Sequence, residues 1–295
     1  MKFRLFFLVL LPGLLLCVSG GVRGQSPDLR EELSFVRYLM ARGDLDEATY
    51  LLERLAEQSD ALSPHMADSV SYLRGWALYQ QKELIPSASF LLAVSGESPF
   101  YLKTRFFGAY NLAHEGRYRE ASAVLEVLDF ESSAMADGMR NFQLAGLDLL
   151  MGDLASFSDR AGRFDEASHL YIEEAGRMLV YRDVLAGAPA RSPFVAGFLS
   201  AVVPGLGKVY AGKMAEGIAG FLYVAAMGAT TYDFYRGSGS GSALFLLSAT
   251  ATGIFYLGNI RGSATAVRRQ QNEFRHEMDQ RILFDMHIPL RNAFN

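Results

Sequence analysis

Residues 114–128 read HEGRYREASAVLEVL, and the reading of this stretch decides the architecture. Gly116 lets one helix end without strain, an acidic residue suits the positive N-terminus of the next, and the small Ala121 lets the two helices approach closely. The same punctuation occurs in ARGDLDEATYLLERL (41–55), with Gly43 and Ala48, and in AGRFDEASHLYIEEA (161–175), with Gly162 and Ala167. A fainter copy, QKELIPSASFLLAV (81–94), puts Ala88 in the alanine's role. The alanines lie 40, 33 and 46 residues apart, which brackets the period of helix-turn-helix units.

Around these turns, from Asp28 to about Ala188, proline is scarce and apolar residues recur at helical spacing, as in Leu33, Val36, Tyr38 and Leu39 or Phe106, Phe107, Tyr110 and Leu112. Strand-like alternation is hard to find. The expected fold is all-α: an irregular helix-turn-helix solenoid over residues 25–190, followed by a small transmembrane helical module. With FFGAYNLAHEGRYREA (Gly108) and YLRGWALYQQ (Gly75, Tyr79) added, residues 28–180 resemble the tetratricopeptide repeat family, in three or four irregular units. The spacing is uneven, and Arg74 stands where that family places a packing leucine. The resemblance implies a concave groove, lined by the first helix of each pair, that binds a peptide or protein segment and performs no chemistry. If Gly75, Gly108 and Gly146 are equivalent positions, that groove collects Tyr72, Trp76, Tyr79, Arg105, Arg140 and Gln143. The competing reading makes the aromatics inter-helix core and the arginines a solvated face.

The N-terminus carries Lys2 and Arg4, an apolar core from Leu5 to Val18, and small residues up to Gly24, the layout of a signal peptide over 1–24 cleaved before Gln25. An uncleaved anchor is the alternative. Lipidation at Cys17, the single cysteine, is disfavoured by Leu14, Leu15 and Leu16. The repeats are therefore expected in the periplasm of a bacterium.

Chemistry finds little purchase. His65, His114, His169, His276 and His287 are scattered, with no i, i+4 pair to hold a metal. Carboxylate pairs fall at solvated helix starts, and no G-x-S-x-G elbow occurs. Residues 207–213, GKVYAGK, satisfy G-x-x-x-x-G-K, but Met214 stands where a magnesium-binding hydroxyl belongs. With 28 basic against 32 acidic residues, no charge excess marks a nucleic-acid binder. The expectation is no enzyme, cofactor, metal, nucleotide or nucleic acid.

From Arg191 to Arg261 the composition turns apolar, with expected spans at about 194–211, 215–235 and 242–260, the last two parted by RGSGSGS. Three crossings place Lys208, Lys213, Arg261, Arg268 and Arg269 inside, in keeping with the positive-inside tendency; a re-entrant first segment is the alternative. PGLGKVYAGKMAEGIAGF looks like the two-transmembrane-helix domain family, which implies a membrane module rather than a reaction. Its turn motif comprises Pro204, Gly205, Gly207, Tyr210 and Gly212. Asp233, between tyrosines, reads as an interfacial anchor. Residues 263–295, with Val267, Phe274, Met278 and Ile282 on one stripe, form an amphipathic tail. The function expected is a membrane-tethered protein-binding scaffold in envelope assembly or membrane-protein biogenesis; the alternative is a small transporter or channel component regulated by its repeats.

Overall fold

A computed structural model describes residues 29–57, 63–129, 133–164 and 169–294. The expected signal peptide, and Ala167, lie outside the described residues. All regular structure among them is helical. Four hairpins come first: α1 (Leu29–Arg42) with α2 (Leu45–Glu57), α3 (Pro64–Gln80) with α4 (Leu84–Leu92), α5 (Tyr101–His114) with α6 (Tyr118–Glu126), and α7 (Ala134–Met151) with α8 (Leu154–Ala161). A ninth helix, α9 (Ile172–Ala186), follows and packs on α7 and α8. Each of these helices contacts the next in the chain, as in a solenoid.

One local device makes all four turns. The residue one or two places past the end of the first helix takes the left-handed conformation, at Gly43, Lys82, Gly116 and Gly152. In each case its N–H and the following N–H reach back to two orphan carbonyls; at the first turn these are Gly43 to Met40 at 3.1 Å and Asp44 to Leu39 at 3.0 Å. This is the Schellman stop. Lys82 adopts φ 66° without glycine's freedom, at a cost of about 1–2 kcal/mol. Five residues beyond each stop, Ala48, Ser87, Ala121 and Phe157 are fully buried.

That register corrects two sequence expectations. The equivalent of Ala48 in the second hairpin is Ser87, whose hydroxyl donates to the carbonyl of Gly75 at 2.7 Å, rather than the neighbouring Ala88. The fourth turn is at Gly152, and Gly162, with φ −63°, merely ends α8. Its hairpin carries Phe157 where the others have a small residue, so the glycine-then-alanine pattern does not reveal it.

The apolar stripes of α1 to α9 close into two clusters. Leu33, Val36, Leu52, Leu55 and Leu73 form one among α1, α2 and α3. The larger runs from α4 to α9 and takes in Ile282, Leu283, Met286 and Leu290 from the far C-terminus.

The rest of the chain forms α10 (Pro193–Val202), α11 (Leu206–Tyr210), α12 (Met214–Ser238) and α13 (Ala243–Phe294). The first segment is not one spanning helix. Its two ends meet: the backbone N–H of Ser192 donates to the Tyr210 hydroxyl at 3.1 Å, and Arg191 to the carbonyl of Ala211 at 3.4 Å. Between them α10 runs down and α11 returns. The reversal requires bare backbone, because a Cβ on Gly205 would lie 2.0 Å from the Gly217 carbonyl oxygen and one on Gly207 1.9 Å from that of Ala196. Ser200 braces it, accepting from the Gly207 N–H at 3.0 Å and pairing with Ser263 at 2.7 Å. Gly212, at φ 83°, repeats the Schellman stop, so GKVYAGK is a helix terminus.

Helices α12 and α13 are antiparallel neighbours, with Gly220 beside Asn259 and Tyr235 beside Phe245. Among the described residues α13 alone is both long and apolar enough to cross a membrane. Nothing divides the expected third span from the expected tail. The helix is continuous for 52 residues, about 78 Å.

Candidate interaction groove

The last part of α13 lies along α5, α7 and α9, the first helices of successive units. Its contacts run the length of the groove. Arg275 donates to the carbonyl of Leu150 at the end of α7. Asp285, 1% exposed, receives Arg177 Nε on both oxygens at 3.0 Å and the Tyr181 hydroxyl at 2.8 Å, while Arg177 also holds Glu174 at 2.9 Å. These carboxylates keep the guanidinium proton bound well above its ordinary range, Asp285 first. At Gly146 the helices touch: a Cβ there would lie 2.6 Å from both Cγ and Sδ of Met286. Gln143 donates its amide to the Met286 carbonyl at 2.7 Å, and Lys103 its ammonium to that of Phe294 at 3.1 Å.

An aromatic box closes one end. Tyr110 stacks on His287 with centroids 4.8 Å apart, Phe107 meets the imidazole edge-on at 6.3 Å, and the Tyr79 hydroxyl hydrogen-bonds His287 Nε2. Burial pushes the Tyr79 phenol up to about 12 and raises Tyr110 as well. It also lowers the His287 imidazole below its usual range, reinforced by the Arg291 and His114 charges. Beyond the box, Tyr72 stacks on Phe100 at 4.2 Å, Trp76 on Tyr79 at 4.9 Å, and Lys103 lies 3.9 Å above Trp76. Burial depresses the Lys103 ammonium.

Four of the six expected groove residues, Tyr72, Trp76, Tyr79 and Gln143, therefore gather around α13 or its terminal contacts. Arg105 and Arg140 do not. Arg105 donates to the carbonyls of Leu92 at 2.6 Å and Val94 at 2.7 Å, Arg140 to that of Leu128, each closing the C-terminus of the preceding unit's second helix. The glycines used to align them are not equivalent: Gly75 and Gly108 abut α4, whereas Gly146 abuts α13. Residues missed from sequence are Lys103, Phe107 and Tyr110, which share a helical stripe on α5, and the Arg177–Tyr181 pair on α9.

The groove is built for holding a helix. It combines an apolar floor, the donors Arg177 and Tyr181 that receive the buried Asp285 carboxylate of α13, and further donors aimed at main-chain carbonyls. No cluster of three or more potential metal ligands occurs among the described residues. Asp148, raised to about 6 by burial, pairs with Arg160 at 2.9 Å between α7 and α8. Comparison with family models, curated proteins and solved structures finds no match.

Proposed function

We propose that this protein is a membrane-tethered scaffold whose helical repeats hold an amphipathic helix of a protein, acting by binding rather than catalysis. The observation that carries the reading is the groove's occupancy by α13, a helix continuous with an apolar span. The tail is then the resting occupant, and a client helix of like pattern competes with it. Four buried tail side chains, Ile282, Leu283, Met286 and Leu290, contribute roughly 6–12 kcal/mol gross, offset by the entropy of ordering them. A tethered ligand also acts at an effective concentration of about millimolar. A client must overcome both, so the groove is closed by default.

In this reading the apolar part of α13 crosses the bilayer, and α12, uncharged from Gly217 to Tyr232 and packed antiparallel on it, enters with it as a two-helix hairpin. The α10–α11 reversal dips in beside them, its backbone groups satisfied by Ser200 and by the turn's own hydrogen bonds. Export follows from the signal-like N-terminus. Lys208, Lys213, Arg261, Arg268 and Arg269 then face the repeat side, against the positive-inside tendency, but long domains translocate regardless of such charge. Envelope assembly or membrane-protein biogenesis suits such a holder of helices.

A photo-crosslinking side chain at Leu102, exposed on α5 next to the groove's Lys103, tests the proposal in living cells. Protein adducts are expected to rise when the tail is released by Gly146→Val. If release exposes the groove and no protein segment is captured, the scaffold reading fails.

A further inference from the structure

A second site lies in the membrane module. Between α11, α12 and α13 is a cleft of about 650 Å³ whose walls include Tyr223, Ile254 and Phe255 and whose head is formed by Lys208 and Glu216. Tyr223 and Phe255 meet edge to face at 5.1 Å along it. Asn259 lines the same cleft, is 8% exposed, and has neither amide nitrogen nor amide oxygen hydrogen-bonded. An unpaired amide inside an apolar module is costly. Lys208 is a second unpartnered group: its side chain makes no hydrogen bond or ion pair among the described residues, and its Cε passes within 3.9 Å of where a Cβ on Gly262 would lie. Glu216 is already matched by Lys213 at 3.4 Å, so the head of the cleft carries one net positive charge.

We infer that this cleft binds one glycerophospholipid. The Lys208 ammonium takes the phosphodiester, the Asn259 amide turns to donate to an ester oxygen, and one acyl chain runs along Tyr223, Val224, Ile254 and Phe255. The order of these groups follows the order of a phospholipid from head to tail. Asn259 lies one residue before the end of the apolar stretch at Ile260, with Arg261 next. This is the depth at which ester groups meet hydrocarbon when the helix crosses a bilayer. Gly220 and Gly258, both lining the cleft, keep it open; a Cβ at 220 would come within 3.0 Å of the Asn259 oxygen. A soluble anion would use Lys208 but leave the apolar wall unused, so a lipid is the occupant. The site also gives a use to the charge held on the repeat side.

The inference rests on the membrane placement proposed above, and its test is separable from it. The full-length protein is reconstituted in phosphatidylethanolamine–phosphatidylglycerol vesicles, extracted in detergent, and weighed by native mass spectrometry. Retention of one phospholipid per chain is expected. It should fall at least about tenfold in Lys208→Gln, Asn259→Leu and Gly220→Leu, and remain in Arg281→Gln on the exposed face of α13. Thermal melts guard against misfolding: in lipid-free detergent Asn259→Leu should melt no lower than the parent, and added phospholipid should raise the parent's Tm but not the variant's. Equal retention by all chains, no retention by the parent, or displacement by glycerol phosphate as effective as by phospholipid would each overturn the inference. Topology reporters that place α12 and α13 in the bilayer while retention fails would overturn it alone.

Discussion

Lys82 occupies a place where the other three turns have glycine. With φ 66° and an exposed side chain, it loses roughly 1–2 kcal/mol to the left-handed conformation, against the entropy that glycine adds to the unfolded chain. Lys82→Gly should therefore stabilise the fold by about 0.5–1 kcal/mol, read as a higher denaturation midpoint at unchanged slope. Asp285 makes the opposite case. Replacing it by Asn removes a charge-assisted pair and leaves Arg177 facing an amide; about 2 kcal/mol of docking should be lost, seen as faster hydrogen exchange across the end of α13 with the α1–α3 region unaffected. The Schellman glycines Gly43 and Gly116 were legible from sequence because a left-handed residue is a local demand, whereas the same pattern points to Gly162 in place of Gly152. The partners of Asp285 were not, since Arg177 and Tyr181 lie more than a hundred residues away.

At the scale of elements, the docking of α13 couples packing to protonation. His287 packs against Tyr79, Phe107 and Tyr110, with Arg291 and His114 as the charges that disfavour its protonation. Its docked pKa lies below the free value of 6.5. The released tail therefore binds more protons, so the stabilisation is full above about pH 6.5 and is lost as pH falls from there toward the docked value. Acidification should loosen the tail, and His287→Phe should remove most of that pH dependence; amide exchange at residues 282–290 measured from pH 7.5 downward is the check. Gly146→Val places a branched side chain where Met286 now approaches to 2.6 Å. It should lift α13 and expose the groove to protease without unfolding α1–α6. Amphipathicity announced the tail, but a stripe of apolar residues does not say whether lipid or protein covers it.

For the whole molecule, the reversal at Pro204 to Gly207 puts residues 191 and 211 at one end, and α13 returns the chain to that end. Reporters fused after Ala188, Lys213 and Asn295 should therefore share one side, with a reporter after Gly239 on the other. A reporter after Lys213 on the opposite side from Ala188 would refute the two-crossing hairpin. Export predicts the shared side to be external.

The sequence by itself determined the all-helical class, the hairpin turns at Gly43 and Gly116, and the change from amphipathic helices to an apolar stretch. Each of these is written in local periodicity and in backbone conformations that only certain residues favour. The tertiary structure decided three other things: that the first apolar segment doubles back, that Arg105 and Arg140 close helix ends outside the groove, and that the tail fills the groove itself. The docked tail joins surfaces more than a hundred residues apart, the reversal needs close backbone approach at Gly205 and Gly207, and Arg105 and Arg140 reach across a unit boundary to carbonyls of the preceding helix end. Each is set by how elements pack, and no local pattern encodes them.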